Sequence, residues 1–349
     1  MTASDFVVIG ENIHATRVLS KKNERISADE QGAEAIAFID EDGKTRYLTI
    51  PEEEKQGDAY QDGRIKHVRV AIQVAIAGEA PDASTAACYL MALARRQIEA
   101  GAQYLDVNVD EVSNKLTEQL EAMRFIVKVL GPTIDVPLSI DSSNLEIIAA
   151  GVVTASEAFG TRVGPPMLNS ASLERLEALE IAAGLGGPVV VTAAGDSGMP
   201  TNTEERVVNA SRIVEASLKN GLALEQIFVD PLVFPIAVDG DYGRHCLEAI
   251  SQLRQRFGDT IHITGGMSNV SFGLPNRRLL NDAFLALAIE AGADSGIVDP
   301  TVVNMQRALD MDRTSRPFQL AIDVLTGTDE NCRAYMKAHR AGELAPPRS

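Results

Sequence analysis

From residue 104 onward, short apolar runs rich in Val and Ile alternate with longer stretches whose apolar residues fall at i, i+3 and i+4 and which begin at Asp, Ser, Asn or Thr. A period near two followed by a period near 3.6, repeated, predicts strand, helix, strand, helix. With VVIG (7–10) ahead of them, the runs are YLDVNV (104–109), PLSID (137–141), PMLNS (166–170), PVVVTA (188–193), IFVDPL (227–232), HITGGM (262–267) and SGIVDP (295–300), eight in all. Eight such repeats predict an α/β fold, the (β/α)8 TIM barrel. The stretch ASTAACYLMALARRQIEAG has the helical spacing, with Gly101 as its stop, and the same Ala-Gly ending recurs at Ala291-Gly292. No GxGxxG follows the first run, which disfavours an open doubly wound sheet.

Two segments break the repeat. Residues 20–66 are polar and contain AIAFIDEDGKTRYLTI, where Asp42-Gly43 between alternating apolar positions predicts a β-hairpin. Following strand one, this insertion is expected at the barrel mouth, as a surface decoration or as a cap or docking element. After residue 312 the chain turns charged and helical, so residues 1–312 are expected to form the barrel and 313–349 a C-terminal helical tail that frays at APPRS.

Composition narrows the function. The chain is 45% hydrophobic, 5% aromatic and carries a formal charge of −17, without the basic block that nucleic acid or an acidic membrane surface would need. Cys88, Cys246 and Cys332 are far apart, which suggests neither a disulfide framework nor a thiolate zinc site. No apolar run approaches the roughly 20 residues that cross a bilayer, and MTASDFVVIGENIH does not read as a signal peptide. A cytoplasmic protein acting on small ligands or protein partners is expected.

Polar residues cluster where the strands end: Glu11 and Asn12, Asp106 and Asn108, Asp141, Asn169, Asp196, Asp230, Asn269 and Asp299. Singly, each reads as a helix cap or turn former. As a set they predict a polar pocket, since carboxyl ends of barrel strands converge. Asp141 and Asp230 directly follow β-branched apolar runs, where an ionised carboxylate needs a partner such as a ligand with several N–H donors. No lysine lies on strands two to eight or just after them, which disfavours Schiff-base chemistry. The histidines at 14, 67, 245, 262 and 339 show no HxH or HExxH, so no metal site is expected. Gly265-Gly266 leaves a phosphate loop open.

In order along the chain, VVIGENI, YLDVNV, PLSIDSSN, PMLNSAS, IFVDPL and GGMSNVSFGLPNRRLLNDAFL resemble the pterin-binding methyltransferase family. That family includes methyltetrahydrofolate:corrinoid protein methyltransferases and the folate module of cobalamin-dependent methionine synthase, and is related to dihydropteroate synthase. The resemblance implies a dihydropteroate synthase-like barrel in which Asp141, Asn169 and Asp230 hydrogen-bond the pterin. It also implies that Gly266 and Ser268 approach the ring and that Arg277 reaches the pterin or its tail. Asn269 is the implied catalytic residue, because an amide can offer N5 either its carbonyl or its NH2 as that nitrogen changes protonation. Glu11, Asp106, Asn108 and Asp196 are left as supporting or capping residues.

The implied substrate is tetrahydrofolate or 5-methyltetrahydrofolate, with cobalamin supplied by a separate corrinoid protein. No cobalamin-binding or zinc-thiolate module is read in the chain, so the expectation is the folate subunit of a split methionine synthase or of a demethylation pathway; the resemblance also implies a homodimer. Phe272 stands where some relatives carry a polar amide. Strand seven has Ser-Asn in place of a dihydropteroate synthase lysine, which disfavours condensation chemistry. A non-catalytic folate-binding subunit and a phosphosugar barrel remain as alternatives.

Overall fold

The computed structural model describes residues 5–196 and 198–344; the APPRS end falls outside them. Eight parallel strands alternate with helices in a (β/α)8 barrel: β1 (Val7–His14), β2 (Tyr104–Asn108), β3 (Leu138–Asp141), β4 (Met167–Ala171), β5 (Val189–Thr192), β6 (Ile227–Asp230), β7 (His262–Ile263) and β8 (Ser295–Val298). They form one sheet in the order β7-β6-β5-β4-β3-β2-β1-β8. Its end strands are joined by a parallel bridge between Gly266 and Ile297. The helices that follow strands are α1 (Asp82–Glu99), α2 (Leu116–Leu130), α3 (Leu145–Phe159), α4 (Glu177–Leu185), α5 (Thr203–Lys219), α6 (Tyr242–Phe257), α7 (Arg277–Ala291) and α8 (Arg316–Leu325). Strand β7 is shorter than the apolar run predicts. Gly265 and Gly266 lack side chains to pack on a pleated face, and only the single bridge continues the ladder.

The chain divides into two compact units, residues 10–169 and the rest. In the first unit, α2 and α3 press Ile126, Val127 and Leu130 together with Ile147, Ile148 and Val152, all fully buried. Each such side chain contributes roughly 1.5–3 kcal/mol by leaving water. Helix α3 starts at Asn144, whose side chain accepts the Glu146 N–H. It lies so close to β3 that a Cβ on Gly151 would come within 2.5 Å of Ile140 Cγ2. That contact seats the strand that ends in Asp141.

The insertion holds the hairpin, Glu34–Ile39 paired antiparallel with Thr45–Thr49, and a third strand, Ile26–Ala28. Its placement differs from the sequence expectation. The base sits after β1, where Leu19 and Ser20 pair with Ile65 and Arg64 and Lys66 meets Glu111 at 2.6 Å. The sheet itself packs on α1, with Phe38 edge-on to Tyr89 at 5.1 Å and Glu41 at the hairpin tip paired with Arg95 at 2.5 Å. Barrel helices run back from the strand ends, so the tip lies toward the opposite end of α1 from the mouth. The apolar face of Ile36, Phe38 and Leu48 explains this, because the outer helix is the surface that can bury it.

In the second unit, β5 is a Val-Val-Val run buried on both faces, as parallel strands under helices are. The segment beyond residue 312 is helical as the sequence suggests, in α8 and Arg333–Arg340, and buries Phe318, Ala321, Leu325 and Tyr335.

Candidate active site

The unit of residues 10–169 carries Asp141 and Asn169 inside a network of buried polar side chains. Parallel register sets Asp106 beside Ser139, Asn108 beside Asp141, and Asp141 beside Asn169. Asp106 and Asn108 are two residues apart and therefore share a face. Asn108 Nδ2 donates to Asp141 Oδ2 at 2.9 Å, and His14 Nε2 lies 3.5 Å from the same oxygen. Asp106, 2% exposed, accepts from Ser139 Oγ at 2.7 Å and from Asn169 Nδ2 at 3.1 Å. Burial, with the neighbouring Asp141 charge added, pushes the Asp106 carboxyl up to about 7. Burial opposes charging His14, but its hydrogen bond and attraction to Asp141 outweigh that and raise it above the usual imidazole value.

Asn108 thus orients Asp141, and Asp106 orients Asn169. His14 was not singled out as a site residue. Its only sequence signal is its place at the end of β1, four residues after a glycine that the outer helix crowds: a Cβ on Gly10 would fall 2.6 Å from Gln97 Oε1.

In the other unit, Asp230 ends β6 and is followed by a turn in which Leu232 has φ +69°. The left-handed conformation costs a branched residue about 1–2 kcal/mol. It directs the Leu232 N–H onto Asp230 Oδ1 at 2.7 Å. Burial pushes the Asp230 carboxyl up to about 6, opposed by that N–H and by the Arg206 charge. The two glycines after β7 are both close-approach positions. A Cβ on Gly265 would sit 3.0 Å from Asp230 Oδ1, and one on Gly266 would sit 2.7 Å from Asn269 Nδ2. This explains Gly265-Gly266 without a phosphate.

Ser268 and Asn269 lie in the one-and-a-half-turn 3-10 helix Met267–Ser271, and Asn269 is exposed. Arg277 opens α7 and reaches back, donating through Nε to Ser271 Oγ at 3.0 Å and through Nη2 to the Ser268 carbonyl at 2.9 Å. It lies 5.6 Å from the centre of the Phe272 ring. Arg277 therefore holds the Ser268–Ser271 turn, in place of the surface ion pair that its helical position also allows.

Side-chain caps are supplied by Asn144, Asn202 and Asn304. Helix α7 starts from Asn276 without a side-chain cap, so Asn269 is not its N-cap. Asp196 is an exposed ion pair with Arg212 at 2.8 Å, and Glu11 pairs with Arg17 at 2.7 Å. The strand-end set thus separates into carboxylates and amides held in place by neighbours, and acids neutralised at the surface. Carboxylates such as Asp141 and Asp230 accept paired N–H donors, while the amides of Asn169 and Asn269 can accept or donate.

A parallel barrel with carboxylates and amides at the carboxyl ends of its strands is an enzyme scaffold suited to a flat, hydrogen-bonding heterocycle. Comparison with known proteins makes the class specific: residues 84–299 match the pterin binding enzyme family, and the chain belongs to it. It is 31% identical over 255 residues to the methylcorrinoid:tetrahydrofolate methyltransferase of Eubacterium limosum, covering 72% of this chain and 86% of that protein. It is 30% identical over 221 residues to the methionine synthase of Mycobacterium leprae (strain TN), covering 59% of this chain but 17% of that protein. A crystal structure of a dihydropteroate synthetase with product shares the fold at TM-score 0.50 and 20% identity, covering 75% of this chain and 91% of that one.

Proposed function

We propose that this protein is a methyltransferase that moves a methyl group between N5 of tetrahydrofolate and the corrinoid of a separate protein. The observation that carries the reading is the match to the Eubacterium limosum enzyme across 86% of its length. The site chemistry supports it. Asp141, Asn169 and Asp230 are assigned to the pterin, whose amino and ring N–H edge suits a carboxylate acceptor. Gly266 and Ser268 are assigned to the approach beside the ring, and Arg277 to the pterin or its tail.

Asn269 is assigned the catalytic role. As tetrahydrofolate takes the methyl, N5 forms a bond to carbon and releases its proton, while the bonding electron pair stays with cobalt. Asn269 can accept the N5–H through its carbonyl before transfer and present its NH2 to the N5 lone pair afterward. The amide thus favours the transfer geometry in either direction without a buried strong acid.

The methionine synthase relatives support a second setting, the folate subunit of a split methionine synthase. The same reading includes a cytosolic location and a homodimer. No described helix is long and apolar enough to cross a membrane. The test is calorimetric titration with tetrahydrofolate and 5-methyltetrahydrofolate, followed by mixing with methylcobalamin and tetrahydrofolate and assaying 5-methyltetrahydrofolate. Saturable binding with methyl transfer supports the proposal. Binding without transfer leaves a folate-binding subunit, and no binding refutes both.

A further inference from the structure

Among the described residues Arg206 is the largest fully buried side chain, at 0% exposure, and none of their carboxylates forms an ion pair with it. It lies on α5, a helix whose other buried residues are small or apolar apart from two serines. Its guanidinium sits 5.0 Å from the centre of the Phe234 ring and 5.7 Å from that of Tyr242. Nη1 donates to the Asn202 carbonyl at 3.1 Å and Nε to the Leu232 carbonyl at 3.5 Å. Nη2 is buried and has no partner among the described residues. A buried, incompletely bonded cation costs several kcal/mol in desolvation, so a purely structural α5 would be better served by an apolar residue.

The recipients of this charge identify its use. Leu232 is the left-handed residue of the turn after β6, and its N–H holds Asp230 Oδ1. The aromatic shelf comes from the same turn, through Phe234, and from α6, through Tyr242, and the two rings meet edge to face at 5.3 Å. We infer that Arg206 is a positioning residue for Asp230: it ties down the strained 230–234 turn and supplies the buried positive charge that keeps the Asp230 carboxylate ionised for its ligand. The inference rests on the assignment of Asp230 to the pterin for its functional meaning, but the electrostatic link can be tested without any ligand.

The ionisable groups around this pair are Arg206 and Glu205 on α5, and Tyr242 and Cys246 on α6; β7 carries His262, stacked on Phe228 of β6 at 4.3 Å and paired with Asp294 at 2.9 Å, and Gly265 after it presents only backbone. The Cys246 thiol is pushed up to about 12 by burial and stays neutral. Arg206 is thus the one cation acting on the Asp230 carboxyl in this group. Its effect on Asp230 is favourable but smaller than the cost of burial.

The test uses full-length protein labelled with carboxyl-13C aspartate, with the Asp230 resonance assigned by Asp230→Asn. The Asp230 titration midpoint is compared in wild type, Arg206→Gln, which keeps hydrogen-bonding capacity without charge, and Arg206→Lys, which keeps the charge without the planar fork. The expected result is a midpoint raised by about one pH unit in Arg206→Gln, a tenfold change in proton affinity, and nearly unchanged in Arg206→Lys. Binding of 5-methyltetrahydrofolate at pH 7 should weaken in both variants, with its pH profile displaced upward only in Arg206→Gln. A Gln midpoint equal to wild type, or a Lys midpoint displaced as far as Gln, overturns the inference. If Gln does not fold, a displaced midpoint in the Lys protein still overturns it and an unchanged one still supports it. Failure of wild type to bind folate refutes the proposed function but leaves the titration result, and this electrostatic link, standing.

Discussion

The two units hold their candidate carboxylates by different means. Around Asp141 the work is done by side chains: Asn108 and His14 hold Asp141, and beside them Ser139 and Asn169 hold Asp106, two polar clusters set side by side by strand register. Around Asp230 it is done by backbone: a left-handed Leu232, a single N–H bond, and glycines that let Asp230 and Asn269 lie against bare main chain. A side-chain network distributes the cost of burial over several partners, so losing one member leaves others. A carboxylate held by one N–H and one buried cation has little in reserve. The Asp230 region should therefore be the more fragile to substitution, and the more dependent on ligand to offset its desolvation.

The sharpest break is Asp230→Asn. Losing a charge-assisted acceptor for paired N–H donors costs about 3 kcal/mol or somewhat less, so 5-methyltetrahydrofolate affinity should fall on the order of 100-fold by calorimetry, with the fold intact by circular dichroism. Gly266→Ala comes next. Its Cβ would meet Asn269 Nδ2 at 2.7 Å and displace the amide. Methyl transfer should slow about tenfold or more, because catalytic groups tolerate little misplacement, while folate affinity changes less. Equal losses in both would mean that the turn, rather than Asn269, was disturbed.

Asn108→Ala should weaken folate binding about tenfold, the low end for one hydrogen bond to a charged group, because His14 still faces Asp141. The last effect is on stability. The Asp106 carboxyl is raised to about 7, above its unfolded value. Its favourable contribution is therefore present below the unfolded pKa near 4 and is lost as pH rises through about 7. Asp106→Asn should raise the thermal midpoint at pH 8 relative to wild type by more than it does at pH 5. The pH dependence of ligand binding at Asp230 has the opposite sign: affinity should rise with pH through about 6 as the carboxylate ionises.

The barrel was legible because each strand is a Val- and Ile-rich run and each helix carries a regular apolar stripe with a stop, as at Gly101 and Gly292. Asp141, Asn169, Asp230 and Asn269 could be named from their places at strand ends and from the family's motifs. Arg206 could not. On α5 it reads as one more charge on a polar helix face, and its burial depends on Phe234 and Tyr242, 28 and 36 residues further along. His14 was legible as a residue but not as a partner of Asp141, since that pairing spans two strands 127 residues apart. The hairpin was read correctly as a hairpin, but its resting place on α1 depended on which outer surface could cover Phe38.

The most direct test of the account separates binding from chemistry at Asn269. Wild type and Asn269→Ala are each saturated with tetrahydrofolate, as judged by calorimetry, and mixed with methylcobalamin in a single-turnover stopped-flow experiment that follows the corrinoid spectrum. The account predicts similar folate affinity for the two proteins and a transfer rate about 100- to 1,000-fold lower for Asn269→Ala, the range for removing one group that stabilises developing charge. Equal transfer rates at saturating folate would contradict it, and would leave Asn269 as a surface residue of the β7 turn.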